Sequence, residues 1–368
     1  MKHKVLLVGG GLSGGGGEVH FNTLARWLYG GSSDVLLVAR PGVPCRRQAT
    51  IPLRSGAVVS YSNAVNGCLK GRYEIVLGCG RFPSVVASCL QACFCRNVLL
   101  VLRDQSVFLQ AHSSDARWWK LIPLVGCRVA YGRAHLLLAN SESGAAELTA
   151  LTQGRVPVAR VKNPIDSARI FAAAKTGSGR PKESGPYILA LGRLGPMKRF
   201  DMAILGFSQA GSHGSHRLLI AGDGPERRRL TALAKRLGLE GRVIFLGWVQ
   251  EPMPLLAGAD ALIHTSTIEG YPNAVLEAMI LRVPVISGDW GEDARSLSRR
   301  GALRLVDSGD PQSVGCAIQQ VLQDRLLRDA MLREADREVA EHMIPQAIQR
   351  YEDLLDSALT SVRQGKGT

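Results

Sequence analysis

The chain has 368 residues, 46% of them hydrophobic and 21% charged, with a formal net charge of +14. That length suits two domains better than one, each able to bury its own core. No apolar run approaches the ~20 residues of a membrane-spanning helix, which excludes an integral helical membrane protein. The start, MKHKVLLVGGG, has an apolar stretch of about five residues, short of the ~7–15 of a signal-peptide core. It reads as a first strand. The 8 Cys lack metal-ligand spacing, with one close pair at Cys93 and Cys95, so reduced thiols in a cytoplasm are expected rather than a disulfide frame.

The charge is unevenly spread. Through Lys175 there are 21 Lys and Arg against 8 Asp and Glu, and beyond it 24 against 23. A basic first half implies an anionic partner, such as nucleic acid, an anionic membrane surface or a phosphate-bearing acceptor. The basic residues are scattered and few aromatics interleave with them, so no nucleic-acid partner is expected. The expected localisation is cytoplasmic, peripheral on an inner membrane face.

Apolar runs at 4–10, 34–40, 74–80, 97–103 and 135–141 read as buried strands, with helices at 20–30 and 84–94 between them. Residues 175–186 are dense in Gly, Ser, Pro and charge, which marks a linker. A second series follows, with strands at 187–193, 217–223, 242–248, 261–267 and 283–289 and a helix at 226–239. Such alternation predicts an α/β fold of two Rossmann-like, doubly wound domains. The expected divisions are 1–175, a linker at 176–186, a second domain at 187–340, and a C-terminal helix and tail at 341–368 packing back toward the first.

The most informative stretch is EGYPNAVLEAM, residues 269–279. Glu269 falls in a Gly/Pro/Asn loop after an apolar run, and Glu277 lies about one turn into the helix that follows. A strand, an acidic loop and a helix N-terminus together place carboxylates and backbone N–H groups in the crevice where open α/β sheets bind ligands. Carboxylates suit vicinal hydroxyls. The reading is a nucleotide-sugar site.

In order, LGRLGPMKRFD (191–201), AGDGPERRRL (221–230) and EGYPNAVLEAM resemble the donor half of the GT-B glycosyltransferases, specifically the large retaining type often called family 4. The match is good over 187–310 and loose before it, through GGGGE (14–18), LANSES (138–143) and NPID (163–166). The resemblance implies that Arg193 and Lys198, in the turn after Gly192, grip the donor diphosphate and stabilise the leaving group. It implies that Glu277 binds the ribose hydroxyls and Glu269 the hydroxyls of the transferred sugar. Gly270, Tyr271, Pro272 and Asn273 supply backbone N–H groups to the sugar, Pro272 only fixing the turn. Asp223 reads equally as a nucleotide contact or a turn residue. Gly247 and Trp248 match the loop bordering the base, although Trp248 reads equally as a core aromatic.

Gly9, Gly11 and Gly14 satisfy a dinucleotide fingerprint. The glycines run on through Gly17, so no helix is expected where that fingerprint needs one, and the second strand ends in Arg40 instead of an acid. The loop resembles the family's GGxE element, with Gly17 and Glu18 closing on the diphosphate. The acceptor side departs from the pattern. Many relatives place a His at the end of the strand at 97–103; this chain has Arg103 and Asp104 there, and His112 comes later. Asp104 and His112 are the acceptor-side candidates. Another departure is DWGEDARSL (289–297), where Glu292 and Asp293 are rivals for one acidic position.

The implied activity is retaining transfer of a hexose from a UDP- or GDP-linked sugar to a glycan or lipid-linked acceptor, in cell-surface polysaccharide or glycolipid synthesis. With no Asp-x-Asp motif, no metal and no cofactor are expected beyond the donor substrate. Two rivals of other classes remain: an NADP-dependent oxidoreductase using the 9–14 glycines, and a non-catalytic nucleotide-sugar-binding partner subunit.

Overall fold

The computed structural model describes residues 3–10, 16–28, 34–38, 58–104, 121–176, 185–210 and 216–365. The chain divides into two compact units, one formed by residues 1–165 and 342–368 and the other by 166–341.

In the first unit, alternate residues of each strand face opposite sides, as a pleated strand requires. The strands are β1 (Val5–Gly10), β2 (Asp34–Val38), β3 (Val58–Val59), β4 (Ile75–Cys79), β5 (Leu99–Asp104), β6 (Leu136–Ala139) and β7 (Val158–Arg160). All pair in parallel, in the order β3-β2-β1-β4-β5-β6-β7. Leu6, Val8, Val76, Leu100 and Leu102 pack on one face, against Leu90 of the helix Arg81–Phe94. Val5, Leu7, Ile75, Leu77, Leu99 and Val101 pack on the other. The helix Gly16–Leu28 covers that second face with Phe21 and Leu24, and the helix Ile344–Arg363 covers it with Tyr351, Leu355 and Leu359.

A helix starts at Gly16, ahead of the expected helix at 20–30 and inside the glycine run, whereas residues 11–15 lie outside the described residues. Glycine costs about 1 kcal/mol in a helix interior, but burial of Phe21, Leu24 and Ala25 stabilises the helix more than its first residues weaken it. Gly9 has its own reason: a β-carbon there would sit 2.0 Å from the Phe21 ring. Gly11, Gly14 and Arg40 lie outside the described residues.

The second unit holds β8 (Tyr187–Leu191), β9 (Arg217–Ala221), β10 (Val243–Gly247), β11 (Ala261–His264), β12 (Val285–Gly288) and β13 (Arg304–Val306). They too pair only in parallel, in the order β10-β9-β8-β11-β12-β13. Ile188, Ala190, Ile220, Phe207 and Ile318 centre its core. The helices Phe200–Gln209 and Pro311–Gln323 approach so closely that a β-carbon at Gly206 would lie 2.2 Å from Val314.

The helix Ser167–Lys175 falls in the second unit, where it packs against the helices Met253–Ala257 and Asn273–Ile280. The division at Ile165–Asp166 therefore differs from the expected boundary at 175 by one helix, and 177–184 of the expected linker lie outside the described residues. Three strands were not expected: β3, β7 and β13, of two to three residues each, too short to show a period. Among the described residues no helix is long and apolar enough to cross a membrane.

Candidate functional site

Strand order in the second sheet reverses between β8 and β11, which are neighbours. The segments leaving their carboxyl ends diverge there, and the crevice between them is where open parallel sheets take ligands. After β8 comes a short 3-10 turn, Pro196–Lys198. After β11 comes the loop that carries Glu269.

Three hydrogen bonds tie the two segments together. Thr265 Oγ1 donates to the carbonyl oxygens of Lys198 and Arg199, at 3.1 and 2.7 Å, and the Thr267 N–H donates to the Met197 carbonyl at 3.2 Å. Lys198 Nζ consequently meets Glu269 Oε1 in a direct ion pair. His264, the last residue of β11 and 5% exposed, places Nε2 3.3 Å from the same oxygen. Neither ring nitrogen makes a well-aligned hydrogen bond. Burial pushes the Glu269 carboxyl up, but the His264 imidazole and Lys198 ammonium outweigh it and hold the group at about 2. Glu269 is thus ionised throughout the neutral range.

The helix Asn273–Ile280 begins directly after this loop, with Pro272 at its N-cap. Its first-turn N–H groups have no partner inside the helix and carry the positive end of its dipole. Gly270 and Asn273 are half-buried, while Tyr271 is 5% exposed. The Tyr271 hydroxyl donates to Glu338 Oε1 at 2.7 Å, and its ring meets Trp290 edge-on at 5.5 Å. That side chain anchors the loop from behind, leaving only its backbone for a ligand.

The carboxylate of Glu277, half-buried on the same helix, makes no hydrogen bond among the described residues. Burial, and then the charge of Glu251, push its carboxyl up to about 7 against the opposing pull of Arg169. Glu251 and Arg169 were not anticipated from sequence, and neither was His264. The signal for His264 was available, as the one ionisable side chain in an otherwise apolar strand, ALIH.

The remaining candidates fall as follows. Arg193 is exposed, and its side chain has no partner among the described residues. Gly192, at φ 148°, donates its N–H to Ala221 at 3.0 Å. Asp223 Oδ1 accepts from the Gly224 N–H at 2.8 Å, and Oδ2 lies 3.7 Å from Arg227, so it serves the turn and the start of the next helix. Gly247 takes φ 72° at the end of β10, and Trp248 beside it is 75% exposed, which rules out the core alternative. Glu292 is paired with Arg299 at the surface, at 2.6 Å, whereas Asp293 is buried.

In the first unit, Gly17 and Glu18 lie in the opening turn of the helix Gly16–Leu28. Asp104 is 8% exposed and engaged: Tyr131 donates to it at 2.6 Å, and Arg81 lies 3.7 Å away. Its neighbour Arg103 is wholly buried and donates to Asn163 at 2.5 Å. His112 lies outside the described residues. Among the described residues no group of three or more His, Cys, Asp or Glu is arranged to hold a metal ion.

Comparison with known proteins falls on the same region. Residues 174–338 match the family model described as Glycosyl transferases group 1. A lipopolysaccharide core biosynthesis glycosyltransferase, LpsE of Rhizobium meliloti, is 32% identical over 169 residues, covering 46% of this chain and 48% of that protein. The N-acetyl-alpha-D-glucosaminyl L-malate synthase of Bacillus anthracis is 29% identical over 185 residues, covering 50% of this chain and 49% of that protein. The chain thus spans about half the length of these curated relatives. Among solved structures, Anabaena HepE in complex with UDP-glucose superposes with a TM-score of 0.77 at 20% identity, over 96% of this chain and all of that one. That likeness shows the fold: two parallel-sheet, Rossmann-like α/β units, as in the GT-B glycosyltransferases.

Proposed function

We propose that the chain is a retaining glycosyltransferase that moves a hexose from a UDP- or GDP-linked sugar to a glycan or lipid-linked acceptor in polysaccharide or glycolipid synthesis. The observation that carries this reading is the Lys198–Glu269 ion pair at the switch point of the second sheet, with the carboxylate of Glu277 one turn into the helix that follows the loop. An ionised Glu269 suits the hydroxyls of the transferred sugar, and Glu277 suits the vicinal hydroxyls of a ribose. Arg193, exposed in the turn after β8, and Lys198 are the cations for a diphosphate. The names of the relatives, which act in lipopolysaccharide core biosynthesis or were solved with UDP-glucose, agree with a sugar nucleotide as donor.

The mechanism proposed is front-face displacement through an oxocarbenium-like state. The leaving phosphate oxygen accepts the acceptor's proton, so no enzymic base is required. Arg193 and Lys198 supply the positive charge that the leaving diphosphate needs. Gly17 and Glu18 are proposed as donor-binding residues, and the basic first 175 residues to favour a phosphate-linked acceptor at an anionic membrane surface. Affinity for anionic vesicles that does not change with salt would count against that last point.

The test is calorimetric titration of the protein with UDP, GDP, ADP and NADPH, EDTA present throughout. One nucleoside diphosphate should bind without metal and bind more weakly to the Glu277→Ala variant. Binding of NADPH alone would replace this reading with the oxidoreductase.

A further inference from the structure

One carboxylate oxygen, Glu269 Oε1, faces two nitrogen groups: the Lys198 ammonium, which holds it, and His264 Nε2 at 3.3 Å. The two partners differ in freedom. Lys198 is 32% exposed on a flexible stem, whereas the His264 side chain is 5% exposed and fixed at the end of a central strand, where it pairs in register with Ser287 of β12. Both imidazole nitrogens lack a well-aligned hydrogen bond. Buried polar groups are rarely left so without a reason.

In the proposed donor site, Lys198 is also needed elsewhere. A diphosphate carries more negative charge than Glu269 and is open to solvent on arrival, so it competes for the ammonium. Once Lys198 turns to the phosphate, Glu269 remains a nearly buried carboxylate, and an unpaired buried carboxylate is expensive. Among the described residues, His264 is the one other donor placed at that oxygen. With a proton on Nε2, the imidazole needs only a small rotation to donate along the existing 3.3 Å line.

We infer that His264 is a positioning residue that takes over the Glu269 carboxylate when the donor diphosphate draws Lys198 away, holding it toward the hydroxyls of the sugar. The inference rests on the donor-site reading above. Lys198 and His264 act in succession: the first keeps Glu269 in place in the empty site, the second in the occupied one. By linkage, whatever His264 contributes to Glu269 after Lys198 has left strengthens diphosphate binding by the same factor.

The experiment compares His264→Gln with His264→Asn, in calorimetric titrations with UDP, GDP and ADP. The Gln amide nitrogen can occupy the place of Nε2, while that of Asn reaches only to Nδ1. His264→Asn should weaken the diphosphate that binds by roughly tenfold, the worth of one hydrogen bond to a charged group, and His264→Gln should stay within about twofold. Equal affinities in the two variants overturn the inference and leave the donor site standing. No binding of any diphosphate to the unaltered protein overturns both. A ligand-free arm uses nitrogen-labelled histidine NMR. In Lys198→Met the His264 Nε2 resonance should move to its hydrogen-bonded position without nucleotide, and adding Glu269→Gln should abolish the move. An unmoved resonance in Lys198→Met sinks the hand-over.

Discussion

A β-carbon at Gly222 would stand 1.9 Å from the carbonyl oxygen of Gly192. The two glycines directly follow β9 and β8, and Gly222 also donates its N–H to the Gly247 carbonyl at 2.7 Å, bringing in β10. Three strand ends are thus drawn together at a point that admits no side chain, with Gly222 at φ 142°. Gly222→Ala should cost about 1–3 kcal/mol through overpacking alone. It should also weaken nucleotide binding, because Arg193 follows Gly192 directly. Urea unfolding checks the first effect, and an unchanged midpoint would refute it.

The acid limb of stability should report on Glu269. Its folded value of about 2 lies below the ~4.3 of an unfolded glutamate. The ionised Glu269, held by His264 and Lys198, therefore stabilises the fold fully above about pH 4.3, and that contribution fades as pH falls toward 2. Glu269→Gln should be less stable than the parent by about 2 kcal/mol at pH 7, with the gap narrowing below pH 4.3. A gap independent of pH would mean that the charge is not what stabilises.

Glu277 carries the opposite sign. Its folded value of about 7 lies above the unfolded one, so ionising it costs stability, a cost absent below about pH 4.3 and complete above 7. Glu277→Gln should raise the thermal midpoint at pH 8, by the equivalent of about 1–3 kcal/mol, while weakening nucleotide binding. In the unaltered protein, nucleotide affinity should rise with pH up to about 7, because the ionised carboxylate is the better acceptor for hydroxyls, and the Gln variant should lose that slope. Stabilisation without loss of binding would remove Glu277 from the site. Loops that serve ligands commonly trade stability in this way.

Behind the loop, Glu338 is 1% exposed and accepts from both Tyr271 and Arg300. Glu338→Ala leaves a buried hydroxyl and a half-exposed guanidinium without their partner, a loss of about 2–3 kcal/mol. Tyr271→Phe should cost about 1 kcal/mol. Thermal unfolding of the two variants checks the order, and a costlier Tyr271→Phe would show that the carboxylate is not the anchor.

Trp248 is 75% exposed beside Gly247, and in the proposed donor site its indole would stack on the base. Trp248→Ala should change stability by less than about 0.5 kcal/mol yet weaken the nucleotide by about 1–3 kcal/mol, the range of one base–aromatic stack. Nucleotide-dependent quenching of tryptophan fluorescence should disappear with it. Quenching of equal depth in the variant would assign the signal to another indole.

Much of this architecture was legible because parallel sheets buried on both faces write themselves as continuous apolar runs. β1, β4, β8 and β12 announced themselves so. β3 and β13, with two and three residues, carry too little pattern to be seen without their neighbours. At the site, the spacing of Glu269 and Glu277 was readable because one loop and one helix hold both. The neighbours Glu251 and Arg169 come from separate segments, and only the packing of the helix Ser167–Lys175 brings Arg169 near. His264 is a different case. It stood out as the one ionisable side chain of the strand ALIH, but nothing local says that it meets a carboxylate five positions on. Tyr271 is a third case: the motif placed it in the loop, but the partner that turns its side chain away, Glu338, is 67 residues distant.

The return of the C-terminal helix has a consequence for how the chain is made. Val5, Leu7, Ile75 and Leu99 leave the ribosome long before Tyr351, Leu355 and Leu359, which cover them. The middle unit, 166–341, has all its parts contiguous and can complete itself during translation. The first sheet must wait with part of one apolar face open, a state prone to aggregation. Any shortening that removes the helix Ile344–Arg363 would make that transient exposure permanent. Aggregation of the uncovered sheet, or its capture by chaperones, rather than loss of a ligand contact, is then the first fate of such a truncated product.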